Sequence, residues 1–236
     1  MKERIQKILS QRGVASRRQA EQMILDGRIS CNGAVCALGD VADADTDTLL
    51  LDGKPLPSKG KSVYIMLNKP KGYVTTLSDE KNRKNVAQLV AQCGARVYPV
   101  GRLDMDSEGL LLLTNDGDFA NRIMHPRGCV DKIYSVEVKG YTPQRLEQLK
   151  KPIYLDGYRI APPQVNLVSS DQDLATIRIT KHEGRNRQVR RMCARAGMQV
   201  KRLIRIQEGT LRLGNLPSGM WRLLTADELE AMQDEA

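Results

Sequence analysis

The fold of this chain is decided by the stretch Gly101-Arg102-Leu103-Asp104-Met105-Asp106-Ser107-Glu108-Gly109-Leu110-Leu111-Leu112-Leu113-Thr114-Asn115-Asp116-Gly117. Four consecutive leucines followed by a Thr-Asn-Asp-Gly turn predict a short strand that is buried on both faces. The loop just before such a strand should be held rigidly by the core, so we expect Asp104 to have a fixed position. On local chemistry alone, a loop aspartate that caps a turn is the commoner explanation.

The composition indicates a protein with a polyanionic partner. The chain has 236 residues, enough for one or two domains, and its hydrophobic fraction of 41% is sufficient for real cores. An excess of 37 Lys and Arg over 28 Asp and Glu gives a net charge of +9, which points to nucleic acid or to an anionic membrane surface. No apolar run approaches the roughly 20 residues that span a bilayer, and no signal peptide is recognisable. We therefore expect a soluble, cytoplasmic protein without membrane association.

The sequence predicts no cofactor. Cys-x-x-Cys pairs are absent, and neither a phosphate-binding Gly-rich loop nor a dinucleotide-binding motif occurs. The cysteines are odd in number and scattered, which favours reduced thiols over a disulfide framework. We expect no metal, nucleotide or redox carrier, and we interpret the two histidines as surface or RNA-contact groups. These cysteines and histidines are Cys31, Cys36, Cys93, Cys129, Cys193, His125 and His182.

The first third of the chain predicts two short helices and a hairpin. Apolar residues at helical spacing follow Ile5, and Gly13 ends that helix. Ser16 and Gln19 form a capping box for a second helix. Asn32-Gly33 is a strong two-residue hairpin signal. Basic residues dominate the first thirty positions, and an ordinary solvated charged face is the simplest explanation of such a run.

A family resemblance gives these basic residues another interpretation. The segments Ala15-Ser16-Arg17-Arg18-Gln19-Ala20-Glu21, Gly27-Arg28-Ile29 and Asn32-Gly33 resemble the S4 RNA-binding domain. The resemblance implies a small domain over residues 1–58 that grips structured RNA through phosphates and shape. The RNA-binding residues that we predict in this domain are Arg4, Lys7, Arg17, Arg18 and Arg28.

A polar segment rich in Pro, Gly and Lys, residues 56–62, predicts a linker. We place the domain boundary there, with a second domain over residues 59–236. Strand and helix patterns alternate irregularly beyond it, so the fold class that we predict is α+β with a mixed, largely antiparallel sheet. The predicted strands lie at 63–67, around Leu110, at 134–138 and at 176–180, and the predicted helices at 119–124, 143–149, 186–196 and 226–231.

Two motifs of the second domain resemble those of the pseudouridine synthases related to the small-subunit ribosomal RNA enzyme. The string Gly-Arg-Leu-Asp, four residues, then Gly-Leu-Leu-Leu-Leu-Thr-Asn-Asp-Gly resembles their active-site signature, which implies that Asp104 is catalytic. Leu67-Asn68-Lys69-Pro70-Lys71-Gly72-Tyr73-Val74 matches their first motif; alone it is a generic basic turn. We expect Lys69 and Lys71 to face RNA phosphates.

The resemblance also gives a role to Tyr134. A tyrosine at a strand edge is usually a packing residue, but the family has a Lys-x-Tyr at the position of Lys132-Ile133-Tyr134, and its tyrosine lies against the target base. The chain has only nine aromatic residues, which suits a pocket for one extruded base better than a series of stacking platforms.

The densest cationic segment, residues 181–195, resembles a further family motif, Glu-Gly-Arg-Asn-x-Gln-Val-Arg-Arg-Met. Nine Lys or Arg fall between positions 181 and 205, with Glu183 as the single acid, so an RNA contact is favoured over a solvated face. By its place after Gln188-Val189, Arg190 matches the arginine that pairs with the catalytic aspartate, which implies a pair between Arg190 and Asp104. The further RNA contacts that we predict are Arg102, Arg185, Arg187 and Arg191.

Together these motifs identify the chain as a two-domain ribosomal RNA pseudouridine synthase by resemblance. An ionised, desolvated carboxylate can act as nucleophile or stabilise a cationic sugar while the N-glycosidic bond breaks and a bond to C5 forms. The sequence leaves open whether Asp104 attacks the base, attacks C1′ or promotes a glycal intermediate. We expect a monomer that modifies one uridine of 23S rRNA. Its partner is expected to be the ribosomal RNA itself or a ribosome assembly intermediate. The alternatives are a 16S enzyme of the same family and a catalytically silent rRNA-binding assembly factor.

Overall fold

The computed structural model describes residues 1–125, 130–182 and 184–235. Cys129 and Glu183, which entered the sequence argument, lie outside these ranges. The chain divides into two compact units. One comprises Met1–Val63 with the short segments Gly94–Arg96 and Asn115–Gly117, and the other comprises the remaining described residues.

The first unit contains the two predicted helices and the predicted hairpin. Helix α1 (Ile5–Gln11) ends before Gly13. Ser16 is the N-cap of helix α2 (Arg17–Leu25), and its side chain accepts a hydrogen bond from the backbone N–H of Gln19, as the capping box requires. Asn32 and Gly33 both have positive φ, 51° and 87°, so the hairpin turn is of the predicted kind. The strands are β1 (Lys2–Arg4), β2 (Ile29–Cys31), β3 (Ala34–Val35), β4 (Val41–Asp43), β5 (Leu49–Leu51) and β6 (Lys54–Pro55).

The apolar residues of both helices form the core of this unit together with residues of β2, β4 and β5. Ile5, Ile8 and Leu9 of α1 pack with Ala20 and Ile24 of α2, and all five are at most 3% exposed. Strand β1 pairs with β4, and the order of the second sheet is β3-β2-β5-β6. The arginines of α2 therefore remain on its outer face, because the opposite face is committed to the core.

The second unit is built on a nine-stranded sheet. Along its main path the strand order is β13-β14-β10-β15-β9-β7-β17, with β16 on β15 and β8 on β9. All of these pairs are antiparallel except the parallel pair of β15 and β9, which confirms the predicted α+β class. The strands are β7 (Tyr64–Lys69), β8 (Tyr98–Val100), β9 (Glu108–Thr114), β10 (Lys132–Lys139), β13 (Gln164–Asp171), β14 (Leu174–Lys181), β15 (Gln199–Glu208), β16 (Leu211–Arg212) and β17 (Trp221–Leu223).

Helices and a small hairpin complete the second unit. Helix α4 (Gly117–Met124) packs Phe119, Ala120 and Ile123 against the sheet. The rings of Phe119 and Tyr64 make a T-shaped contact, with their centroids 5.0 Å apart. The hairpin consists of β11 (Ile153–Leu155) and β12 (Tyr158–Ile160). The helices are α3 (Val86–Leu89), α4 (Gly117–Met124), α5 (Pro143–Leu149), α6 (Gln188–Arg195) and α7 (Ala226–Glu235). Among the described residues, none of these helices combines the length and the apolar composition that a bilayer crossing requires.

Strand β9 is the predicted leucine strand, and it lies inside the sheet between β15 and β7. Leu110, Leu111, Leu112 and Leu113 are at most 1% exposed, so the strand is buried on both faces as the unbroken apolar run indicated. The loop that carries Asp104 connects the edge strand β8 to β9 and is therefore attached to the most buried part of the unit.

Candidate active site

The backbone of the Asp104 loop is held by the segment that follows β7. Thr75 Oγ1 donates to the Leu103 carbonyl at 2.7 Å, and the Gly72 amide donates to the Met105 carbonyl at 2.7 Å. Within the loop, the Ser107 amide donates to the Asp104 carbonyl at 3.0 Å and closes a turn. The first motif and the aspartate motif are thus two sides of one rigid structure.

Lys69 is the centre of this structure, which corrects the prediction that it faces RNA. Its side chain is fully buried, and its Nζ donates to the carbonyls of Pro70, Asp104 and Ser107 at 3.1, 3.0 and 2.8 Å. Burial lowers the pKa of Lys69 to about 8, and the nearby carboxylate of Asp104 opposes that shift. Strand alternation places Lys69 on the face of Ile65 and Leu67, so it points into the core. Only Lys71, which is exposed, fits the predicted phosphate contact.

Asp104 and Tyr134 line one small cleft of about 100 Å³. Asp104 is half-buried at the mouth of β9, and Tyr134, on β10, is 8% exposed. Burial raises the pKa of Tyr134, and the Asp104 carboxylate acts in the same direction. Three predicted RNA-contact residues, Arg102, Arg185 and Arg187, line the same cleft. The structure therefore brings a carboxylate, a phenol and several cations to one place.

Arg190 does not contact Asp104 as the family resemblance implied. Its Nη2 donates to the Asp106 carbonyl oxygen at 2.7 Å, and its Nε lies 3.3 Å from Asp106 Oδ2. Arg187 makes a bidentate pair with the same carboxylate, at 2.9 and 2.8 Å. Both arginines therefore hold the Asp104 loop to α6 through Asp106. The sequence argument missed the part that Asp106 takes in these contacts, because a second loop aspartate carries no signal of its own.

The pair with Arg187 holds the pKa of Asp106 below its usual range. At neutral pH the pair is therefore fully ionised. A carboxylate whose pKa is lowered in the folded state contributes stability above its unfolded pKa, and this contribution is lost as the pH falls through the lowered value.

We expect Asp106→Asn and Arg190→Ala each to slow turnover, and the double variant to be slowed by less than the product of the two factors. Both changes weaken the attachment of one loop to α6, although the Arg187 pair remains in Arg190→Ala and the bond from Arg190 to the Asp106 carbonyl remains in Asp106→Asn, so their effects overlap in part. Single-turnover rates of the four proteins form the double-mutant cycle that measures this coupling. Losses that multiply in the double variant would show that Arg190 acts independently of Asp106.

Two other predicted RNA contacts have partners in the chain. Arg191 forms a bidentate pair with Asp156 at 2.7 and 2.5 Å, at the turn of the β11-β12 hairpin. Arg185 stacks on the ring of Tyr158 in the same hairpin, with its guanidinium carbon 4.2 Å from the ring centroid. The cationic segment is therefore positioned by this hairpin as well as by Asp106, and the charge of Arg191 is locally balanced.

The predicted contacts in the first unit separate into two groups. Arg4, Lys7 and Arg17 line one cleft of about 390 Å³. Arg18, the residue after Arg17 on α2, is exposed. Lys7 is bridged to Glu3 at 2.6 Å. Arg28 makes a bidentate pair with Asp52, at 3.0 and 2.6 Å, so its charge is balanced.

Among the described residues, no cluster of three or more His, Cys, Asp or Glu side chains could hold a metal ion. Within the part of the chain that the structure describes, no disulfide joins Cys31, Cys36, Cys93 or Cys193 to one another.

Comparisons with known proteins show the family to which the chain belongs. Residues 63–195 match the family model described as RNA pseudouridylate synthase, and residues 3–43 match the S4 domain. The chain is 44% identical over 232 residues to an uncharacterized RNA pseudouridine synthase of Aquifex aeolicus, covering 97% of this chain and 93% of the relative. It is 41% identical over 234 residues to ribosomal large subunit pseudouridine synthase B of Bacillus subtilis, covering 98% and 96%.

A solved structure extends the agreement to the fold. The crystal structure of a pseudouridylate synthase, 29% identical, superposes with a TM-score of 0.69 and covers 97% of this chain and 99% of that one. The chain therefore belongs to the RNA pseudouridine synthase family and carries an S4 domain at the start of its sequence.

Proposed function

We propose that this enzyme isomerises one uridine of large-subunit ribosomal RNA to pseudouridine, with Asp104 and Tyr134 as its catalytic residues. The observation that carries the assignment of residues is the cleft that both residues line, with the backbone of the Asp104 loop fixed by Lys69, Thr75 and Gly72. The choice of the large subunit is supported by the name of the Bacillus subtilis relative.

The chemistry needs a carboxylate that is ionised and shielded from water. Isomerisation breaks the N-glycosidic bond, turns the uracil and forms a bond from C1′ to C5, after which the hydrogen at C5 is lost. Asp104 is half-buried beside several cations, a setting in which a negative charge can be used against a sugar or a base. Tyr134 presents a ring that can stack on the extruded base and a hydroxyl that can help to move a proton. Arg190 supports Asp104 indirectly, through Asp106.

We further propose that residues 1–58 form the RNA-gripping domain and residues 59–236 the catalytic domain, in a protein that acts as a cytoplasmic monomer on rRNA or on a ribosome assembly intermediate. Arg4, Lys7, Arg17 and Arg18 supply the cations of the first domain. In the second domain they are Arg102 and Arg185, which line the catalytic cleft, and the exposed Lys71. These contacts would confer affinity and placement, since phosphate contacts carry no base code.

Pseudouridine mapping in rRNA tests the choice of substrate. We expect cells that lack this gene to lose a pseudouridine in 23S rRNA and to regain it when the gene is restored. Loss of one 16S site with 23S unchanged would assign the protein to the small-subunit branch. Purified enzyme should also release tritium from C5 of uridine in the matching rRNA fragment, and failure to release it would refute isomerisation of that RNA.

The RNA-gripping role of the first domain predicts a change in salt dependence. We expect the triple variant Arg4→Gln, Arg17→Gln, Arg18→Gln to bind rRNA more weakly, with a slope of log K against log salt that is shallower by about 2 to 3, since each lost phosphate contact removes about 0.9 from the slope. Binding titrations at several salt concentrations measure it.

Arg28→Gln is the matched control, because the Arg28 guanidinium is already paired with Asp52. Its slope should stay close to that of the unmodified protein. An unchanged slope in the triple variant would mean that this face of the first domain does not touch the substrate.

A further inference from the structure

We propose that Arg205 is a positioning residue for the reaction and that it acts through the hydroxyl group of Tyr134. The inference rests on the catalytic role proposed for Tyr134. Strand β15 runs antiparallel to β10 and places Arg205 directly opposite Tyr134. A bulge in this pairing falls between Ile133 and Tyr134. Arg205 also lines the same cavity as Tyr134, and its guanidinium opposes the rise in the pKa of the phenol.

Arg205 is fixed from two sides. Its Nε donates to the Leu110 carbonyl at 2.7 Å, and its Nη2 lies 3.2 Å from Glu208 Oε2. Leu110 belongs to β9, the strand that directly follows the Asp104 loop. The guanidinium therefore bridges the strand that positions Asp104 and the strand that carries Tyr134, so it can fix the distance between the two catalytic side chains.

The burial of this pair argues for a role other than stability. Arg205 is 2% exposed and Glu208 is 1% exposed. Replacing a buried ion pair by apolar side chains is often neutral or stabilising, because desolvation offsets the attraction between the charges. An arginine and a glutamate buried under the catalytic tyrosine are therefore better explained by the geometry that they impose on it.

Two cationic side chains and one carboxylate lie close to Tyr134. Lys132 Nζ lies 3.6 Å from Glu208 Oε1, so two cations share one carboxylate. A larger cavity of about 530 Å³ is lined by all three of these residues and by Tyr134. Burial raises the pKa of Tyr134, whereas Arg205 opposes this rise. The charged and titratable groups around Tyr134 in its two clefts are Asp104, Glu208, Arg102, Arg185, Arg187, Arg205, Lys132, Lys181, His125 and His182.

The donor chemistry of arginine then sets the direction of the Tyr134 hydroxyl. A guanidinium has only donors, so the phenol oxygen can act toward Arg205 only as an acceptor. The proposed arrangement therefore directs the hydroxyl hydrogen away from Arg205 and toward the cleft that Asp104 lines. Arg205 thus presents Tyr134 to the substrate as a hydrogen-bond donor in a fixed orientation.

A double-mutant cycle tests this inference. Single-turnover tritium release from C5 and RNA affinity are measured for the unmodified enzyme, Arg205→Met, Tyr134→Phe and the double variant. We expect Arg205→Met to slow the unmodified enzyme by about 10- to 100-fold, the range that misplacing a catalytic group can cost, with affinity for RNA retained. In the Tyr134→Phe background, where no hydroxyl remains to be positioned, the same change should slow the reaction by less than about twofold.

Arg205→Lys provides the second variant. It keeps the cation, so it should recover part of the rate lost in Arg205→Met, and it serves in the same cycle if Arg205→Met fails to fold. Equal losses in both backgrounds would overturn the inference and leave the proposed function standing. Full activity of Tyr134→Phe would overturn the role of the Tyr134 hydroxyl and, with it, the role of Arg205.

Discussion

Asp104→Asn should leave the enzyme unable to form pseudouridine while its affinity for RNA stays within a few fold. The substitution is nearly isosteric, and it removes one negative charge from a cleft that is rich in cations. The loop itself should not move, because its contacts with Lys69, Gly72 and Thr75 are made by backbone atoms of residues 103–107. An amide cannot replace an ionised carboxylate as nucleophile or as the stabiliser of a developing positive charge.

The measurement is single-turnover tritium release with saturating enzyme, together with RNA binding of the same preparation. We expect a loss of at least about a thousandfold, the scale on which removal of a nucleophile or of a main electrostatic group is felt. Asp171→Asn is a matched control, since it makes the same change of charge at an exposed position on β13. Turnover by Asp104→Asn within tenfold of the unmodified enzyme would refute the assignment of Asp104.

The parts of the fold that the sequence predicted are those whose signal is local. The four leucines of β9, the capping box at Ser16 and the turn at Asn32-Gly33 each determine their structure within a few residues, and all three are confirmed. Helices α4, α5 and α6 also lie within two residues of their predicted bounds, because an apolar stripe at helical spacing needs no information from the rest of the chain.

The strands that escaped prediction depend on their partners. Strand β15 is the longest strand described, yet its sequence contains Lys201, Arg202 and Arg205 and was interpreted as part of a cationic surface. It is a strand because β10 and β9 flank it, so backbone pairing outweighs its polar composition. Strand β13 lies at the edge of the sheet with most of its side chains exposed, and it therefore lacks the alternation that identifies a half-buried strand.

In the candidate site, too, the sequence predicted the features with a local signal and missed those that depend on a distant partner. The motif residues Asp104 and Tyr134 both line one cleft, and their catalytic roles stay a prediction. The partners of the cations could not be predicted, because they depend on which loop faces which helix. Arg190 thus contacts Asp106 instead of Asp104, and Arg191 is paired with Asp156. Lys69 is the exception, since strict alternation along β7 would have indicated its burial.

Gly109→Ala should destabilise the catalytic unit by about 2–5 kcal/mol, the sum of a backbone and a packing contribution. Gly109 begins the buried part of β9 with φ of +105°, and an added Cβ would lie 2.3 Å from the carbonyl oxygen and 2.7 Å from the amide nitrogen of Arg205. Those atoms belong to the backbone of β15, which pairs with β9 at this position and cannot turn aside as a side chain could. A left-handed backbone costs about 1–2 kcal/mol for a residue with a Cβ, and overpacking adds about 1–3 kcal/mol.

Gly101→Ala separates the two contributions. Gly101 also has a positive φ, +77°, but an added Cβ there would meet no atom within 4 Å. It should therefore cost only the backbone contribution of about 1–2 kcal/mol. Urea unfolding followed by the fluorescence of Trp221, the single tryptophan, reports on the catalytic sheet, because β17 pairs with β7. Equal losses for both variants would show that β15 can retreat from β9 without cost, and that the close approach of Gly109 to Arg205 does not determine the position of the catalytic loop.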